Sequence, residues 1–211
     1  MTHDLTVLLA IVATLAAGVI SPGPSFLMVA RTAVSSSRAD GLAAALGMGA
    51  GGVVFGLAAL LGLHGILLAV PSLYVALKVA GGLYLAYIGM RIWSSARQPL
   101  AVAGAAPGAH MTKLKALALG FTTQVSNPKT AIVYASVFAA FLPADPSPGF
   151  DGALLALVFA IEAGWYAIVA LALSSERPRS AYLRYKAWMD RVAGGVMAAL
   201  GVKLVLSAQS A

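Results

Sequence analysis

The sequence predicts an all-α polytopic membrane protein: six transmembrane helices, arranged as two inverted three-helix repeats, with the first and fourth helices broken. Three observations carry this. The 211 residues are 60% hydrophobic and only 10% charged, against roughly 45–50% and about 25% in soluble domains, and the mean hydropathy is +0.89. Apolar runs of about 20 residues, each long enough to cross a bilayer, recur along the chain. Two of those runs are interrupted by proline at corresponding places.

The runs are Leu5–Ala30, Gly41–Leu63, Ser72–Trp93, Leu117–Leu142, Gly152–Leu173 and Arg191–Leu206. The first is not read as a cleaved leader, because its start, MTHD, lacks a basic segment. Arg31 and Arg38 follow span one. Arg91, Arg97, Lys113 and Lys115 flank the stretch after span three, and Arg177, Arg179, Arg184, Lys186 and Arg191 the stretch after span five. The alternate connections carry Asp4, Asp145 and Asp151 instead. The positive-inside rule then puts the basic connections in the cytoplasm and both termini outside. The net charge of +7 is thus a topology signal and requires no nucleic-acid partner.

The repeat is read from paired segments. ADGLAAAL at Ala39 answers FDGALLAL at Phe150, GGLYLAYIGMR at Gly81 answers GGVMAALGVK at Gly194, and SPGP at Ser21 answers SNPK at Ser126. These keep a common order at offsets of about 105 to 113 residues. A single transporter-like domain, 1–211, follows, with repeat one at about 5–93, a cytoplasmic loop at about 94–115 and repeat two at about 116–207. A three-helix repeat inserts its second copy upside down.

The interruptions lie inside the membrane. About sixteen residues from Leu5 to Ile20 reach only about 24 Å, short of a core roughly 30 Å thick. Pro22 and Pro24 then remove N–H groups and disfavour the preceding turn, so carbonyls near Gly18 and Ile20 lose their helical partners. Pro128 does the same to Gln124, among Thr122, Thr123, Ser126, Asn127, Lys129 and Thr130. Broken backbone at this depth is tolerated only where protein or water covers it. Paired broken helices therefore point to a central binding site made by Ser21, Pro22, Gly23, Pro24, Gln124, Asn127, Pro128 and Lys129. The helix N-termini after each break favour an anion such as a carboxylate.

Glu162 lies near mid-depth in span five, where a charge costs at least about 2.5 kcal/mol and must be paired or protonated. It is read as a proton-coupling or ammonium-binding group, with Lys129 as a candidate partner, against the simpler role of a neutral acid tying helices together. Tyr84 and Tyr87 sit deep on span three and are candidate pathway residues. Lys78 is read as snorkelling to the headgroups, His64 as interfacial, and Trp93, Trp165, Tyr166 and Trp188 as members of the aromatic belts. Gly47, Gly51, Gly52 and Gly56 make overlapping GxxxG spacings that permit close helix packing. The sequence holds no cysteine and three scattered histidines, and neither HExxH, GxSxG nor a phosphate loop. No enzyme, cofactor or metal site is expected.

The ordered combination of SPGPSFLMVARTAVSSSRADGLAAALGMGAG, LKVAGGLYLAYIGMRIW and GFTTQVSNPKTAIVYASVFAAFLP resembles the LysE/RhtB family of bacterial amino-acid exporters along nearly the whole chain. The shared marks are a (G/S)PGP segment, a K-x-x-G-x-x-YL-x-Y-x-G segment and an NPK segment. The resemblance implies export of amino acids or close derivatives across the cytoplasmic membrane, driven by protons, by a homo-oligomer. It also implies a pathway role for Pro22, Gly23, Pro24, Asn127, Pro128 and Lys129. One departure is Gly51-Gly52, where many members carry an acidic residue in span two; either Glu162 replaces it here or the substrate differs. Two alternatives stand beside this reading: a cation or metal-ion exporter, which needs clustered carboxylates, histidines or cysteines, and a non-transporting scaffold, which needs breaks sealed by packing.

Overall fold

The first proline-bearing segment bends the chain sharply. Helix α1, Thr2–Ile20, and helix α2, Pro24–Ser35, meet at 60° across Ser21–Gly23. Pro24 opens α2 at the first helical position, where the missing N–H removes no bond. The structure is a computed structural model that describes residues 2–69, 71–98, 111–143, 147 and 149–208.

Six further helices follow: α3, Arg38–Ala69; α4, Pro71–Ser95; α5, Lys113–Val125; α6, Pro128–Phe141; α7, Phe150–Leu173; and α8, Glu176–Ala208. All regular structure among the described residues is helical. Local chemistry sets several of the ends. Ser37 and Asp40 form a capping pair at the start of α3: the Asp40 N–H donates to Ser37 Oγ at 3.1 Å, and that hydroxyl donates to Asp40 Oδ2 at 2.6 Å. Thr112 accepts from the Lys115 N–H before α5, and Asn127 accepts from the Lys129 N–H before α6. Gly149 turns the chain into α7 at φ +88°, a conformation that favours glycine.

Among the described residues, α3 over Arg38–Gly62 and α7 are each long and apolar enough to cross a bilayer, and α1 with α2 make a third if the bent pair is one span. The chain is an all-helical membrane protein. One boundary differs from the sequence reading. Residues 176–190, taken as part of a loop before a sixth span at Arg191–Leu206, continue α8 as one helix. An i, i+4 ion pair, Lys186 to Asp190 at 2.8 Å, supports that extension, and Lys186 Nζ also donates to the Ala96 carbonyl beyond α4. The side chains of His64 and Lys78 lie outside the described residues.

Glycines allow the closest helix approaches. On α3, a Cβ at Gly47 would collide with the α5 backbone at Leu117 and Phe121, and one at Gly120 with the α3 backbone at Ala44. The GGLYLAYIGMR and GGVMAALGVK segments face each other between α4 and α8. A Cβ at Gly89 would sit 2.5 Å from Ala198 N, and one at Gly194 would sit 2.6 Å from Gly89 O. Gly201 lies against the backbone of Gly82 and Ala86. Rising numbers on α8 thus meet falling numbers on α4, so the two helices run antiparallel.

The buried apolar side chains fall into two clusters. One gathers Leu15, Leu85, Val133, Phe138 and Val158; the other gathers Val19, Phe26, Met48, Tyr166 and Val169. Along α7 the division falls between Val158 and Tyr166, and along α1 between Leu15 and Val19. Glu162 occupies the gap on α7.

The α4–α8 approach leaves no room for a side chain. Gly194→Leu should lower the protein's stability in detergent by about 1–3 kcal/mol through overpacking. Gly62→Ala, inside α3 where a Cβ meets nothing within 4 Å, should hold or raise the thermal midpoint. Melting curves of the two purified variants check this.

Candidate functional site

Prolines 22, 24 and 128 remove backbone donors, and the structure shows which groups replace them. At the C-terminal end of α1, Lys129 Nζ donates to the carbonyls of Gly18 at 3.2 Å and Ser21 at 2.9 Å. A cation from the second break thus closes the first. The arrangement is favourable twice over, since the α1 terminus carries exposed carbonyls and the negative end of its dipole. At the second break, the Asn127 N–H donates to the Gln124 carbonyl at 3.1 Å.

A polar chain ties the breaks side to side. Asn127 Nδ2 donates to Ser25 Oγ, and that hydroxyl donates to Gln124 Oε1, both at 2.8 Å. Asn127 Oδ1 accepts from the Lys129 N–H at 3.0 Å. This corrects one expectation: the first N–H of α6 is already taken by its own cap. Likewise the partner of Glu162 is Tyr134, whose hydroxyl donates to Oε1 at 2.9 Å, while the Lys129 ammonium is held on the two carbonyls.

Glu162 lies midway along α7 and is 1% exposed. Its Oε2, and Nε2 of the fully buried Gln124, have no hydrogen-bond partner. Gly52 closes the site from α3: a Cβ there would stand 3.0 Å from Glu162 Cγ and 3.1 Å from the Tyr134 hydroxyl. The glycine at the position where the resemblance puts an acidic residue therefore faces Glu162 directly.

Two cavities meet at the breaks. The inner one, about 20 Å³, is lined by Ser21, Gly23, Ser25, Asn127, Lys129, Tyr134, Glu162 and Tyr166, among others. It has room for about one water molecule. The outer one is an open vestibule of about 530 Å³, in the range of small-molecule sites. Ser21, Pro22, Gly23, Pro24, Pro128, Lys129, Tyr84 and Tyr87 all line it. Ser21, Gly23 and Lys129 border both spaces and so form the partition. Of the residues assigned to the central site from the sequence, Gln124 lines neither cavity; it accepts a hydrogen bond from Ser25, which lines the inner one.

Sequence reasoning missed Ser25, Tyr134, Arg91 and Asp190. Ser25 directly follows the proline segment, which was the signal available. Tyr134 lies among apolar residues with nothing to mark it, and Asp190 was lost in a segment read as a basic flank. Arg91 also borders the vestibule, with its guanidinium 6.0 Å from the centre of the Tyr87 ring. Among the described residues no three His, Cys, Asp or Glu side chains come together.

Comparison with known proteins adds an independent line. The model of the family described as LysE type translocator matches residues 16–208. A threonine efflux protein of Escherichia coli strain K12 is 34% identical over 188 residues, covering 89% of this chain and 91% of the relative. The leucine efflux protein of Enterobacter sp. strain 638 is 28% identical over 187 residues, covering 87% and 86%. An uncharacterized membrane protein of Haemophilus influenzae is 27% identical over 191 residues, covering 89% and 90%. No solved structure matches.

The latch on α1 has a measurable weight. Lys129→Met leaves two carbonyls without their donor and should destabilise the folded protein by about 1–3 kcal/mol. Lys129→Arg, which keeps charge and donors, should lose less. Denaturant titration of the two variants in the same detergent gives the difference.

Proposed function

The chain belongs to the LysE type translocator family, and from that premise we propose that it is a secondary transporter. It exports amino acids or close derivatives across the bacterial cytoplasmic membrane, coupled to protons. The observation that carries this is the meeting of two proline breaks at one partition, with a vestibule of about 530 Å³ on one side and a buried carboxyl on the other. Relatives named for efflux of threonine and leucine support an amino-acid cargo.

In this reading the chain is one transporter domain of six spans. The pair α1 and α2 forms the first span and the pair α5 and α6 the fourth, and two inverted halves meet along α4 and α8. The antiparallel run of matched glycines on α4 and α8 supports that symmetry. The basic connections face the cytoplasm and both termini lie outside. The vestibule, bordered by Arg91 and Ser95 near the end of α4, then opens inward, toward the side from which an exporter takes its cargo. Copies associate as a homo-oligomer in the bilayer.

Each site residue then has a task. An ammonium has three donors, and Lys129 uses two on the carbonyls of Gly18 and Ser21. The third meets the substrate carboxylate. Pro22, Pro24 and Pro128 keep the breaks open, and Gly23 leaves the partition beside Lys129 without a side chain. Ser21, Gln124 and Asn127 hold the two breaks in register. Tyr84 and Tyr87 form the wall that meets the side chain. Beyond the partition, Glu162 Oε2 receives the proton or the substrate ammonium group. The inner cavity has to widen from the size of one water as the partition moves, which is the alternating step.

Proteoliposomes loaded with a panel of labelled amino acids test the reading. The native protein should release at least one of them faster when a proton gradient is imposed. Glu162→Gln should reduce gradient-driven efflux at least tenfold while leaving exchange of internal for external amino acid measurable. Equal gradient-driven efflux from both proteins removes Glu162 from the coupling, and no efflux of any amino acid by the native protein removes the exporter reading.

A further inference from the structure

We infer that the vestibule is itself a binding site for α-amino acids, in which Asp190 recognises the free ammonium group before the substrate reaches the chamber at Glu162. This rests on the export reading and adds a second, earlier subsite to it.

The first reason is size. The inner cavity holds about one water, whereas the vestibule has about 530 Å³. Of the two spaces that meet at the breaks, only the vestibule has room for an amino acid in this conformation.

The second reason is the state of Asp190. It is 3% exposed and borders the vestibule from α8. One carboxylate oxygen accepts from Lys186 at 2.8 Å, and the other, Oδ1, has no partner. A carboxylate offers about four acceptor positions, and a buried oxygen left without a donor is unfavourable. Lys186 is not free to supply a second bond by moving, since it is also held on the Ala96 carbonyl at 3.3 Å. A substrate ammonium brings the donor that Oδ1 lacks.

The third reason is charge arrangement. Lys129 and Arg91 border the same space, and Asp190 lies close enough to act electrostatically on Lys129. With Lys186, which is bound to Asp190, the wall carries three cations and one carboxylate, so both charges of a zwitterion can find a counterpart on it. A simple carboxylic acid has no use for Asp190, and a simple amine has none for Lys129 and Arg91. Between them Tyr84, Ile88 and Ile92 offer apolar wall to the side chain. Recognition here falls on the backbone atoms shared by amino acids, so the subsite separates amino acids from other carboxylates more sharply than one amino acid from another.

The test compares a substrate with its deaminated analogue in proteoliposomes. The pair is labelled threonine with 3-hydroxybutyrate, or the best-moved amino acid of the panel with the analogue lacking its amino group. For the native protein the analogue should compete at least tenfold more weakly than the amino acid. Asp190→Asn should raise KM about tenfold to a hundredfold, the loss of one charge-assisted bond, with kcat within a fewfold, and should abolish the preference over the analogue. Lys186→Met breaks the same ion pair but keeps the carboxylate, so the preference should persist. The double variant Lys186→Met/Asp190→Asn, which leaves no unpaired charge, should lack the preference.

A preference retained in the double variant overturns the inference, as does equal loss in Lys186→Met, which would make the pair a brace between α8 and the end of α4. Loss of kcat in Asp190→Asn with KM and preference unchanged overturns it too. If the native protein moves no amino acid, the export reading falls and this subsite with it. If it moves amino acids with Asp190 immaterial to the preference, only this subsite falls.

Discussion

A broken helix inside a bilayer strands carbonyl groups where water is scarce, and each stranded group costs several kcal/mol unless something binds it. Here one ammonium does so for two of them. Lys129 stands next to Pro128 at the start of α6 and reaches Gly18 and Ser21 at the end of α1. The bend between α1 and α2, the partition between the two cavities and the placing of Gly23 all depend on that reach. A neutral side chain of the same length has no donors to offer, and a shorter one would not cross the gap. The break between α1 and α2 is therefore completed by a residue of the break between α5 and α6.

Around this latch the polar and apolar parts of the interior are sorted. Ser25, Gln124 and Asn127 share a chain of hydrogen bonds, and Tyr134 and Glu162 form a second pair. Apolar clusters lie to either side along α1 and α7. In the seam between them groups remain under-bonded: Glu162 Oε2 and Gln124 Nε2 have no partners there. Unmet hydrogen-bonding capacity beside a cavity marks a place where a ligand, a proton or a water belongs.

Much of this was legible in the residues. The proline positions located both breaks to within a few residues, because a missing N–H acts on the chain whatever surrounds it. The depth of Glu162 followed from counting along an apolar run. The GxxxG glycines of span two predicted close approach, and Gly47 lies directly against the α5 backbone, whereas the close contact of the matched segments on α4 and α8 was not foreseen. What the sequence could not give was pairing across distance. Lys129 was a candidate partner for Glu162 because both are charged and central, yet Tyr134 holds Glu162 and backbone carbonyls hold Lys129. Nothing in a linear reading ranks a carbonyl above a carboxylate as a lysine's neighbour. The start of α8 was misplaced for a different reason. Residues 176–190 are too polar to read as membrane span, but polarity says nothing against helix, and the ion pair at 186 and 190 has the spacing that favours one.

The glycine contacts between α4 and α8 carry a mechanical consequence. Interfaces built from interdigitating side chains resist sliding, because each knob must climb out of its hole before the next register is reached. Backbone lying on backbone has no such teeth. At the glycine rows themselves a shift of α8 along α4 meets few rotamers, so resistance to it falls on the flanking side chains, Leu85, Ile88, Ile92 and Met197, which are buried in one cluster. A seam of backbone on backbone thus runs beside the opening that Tyr84, Arg91 and Asp190 share.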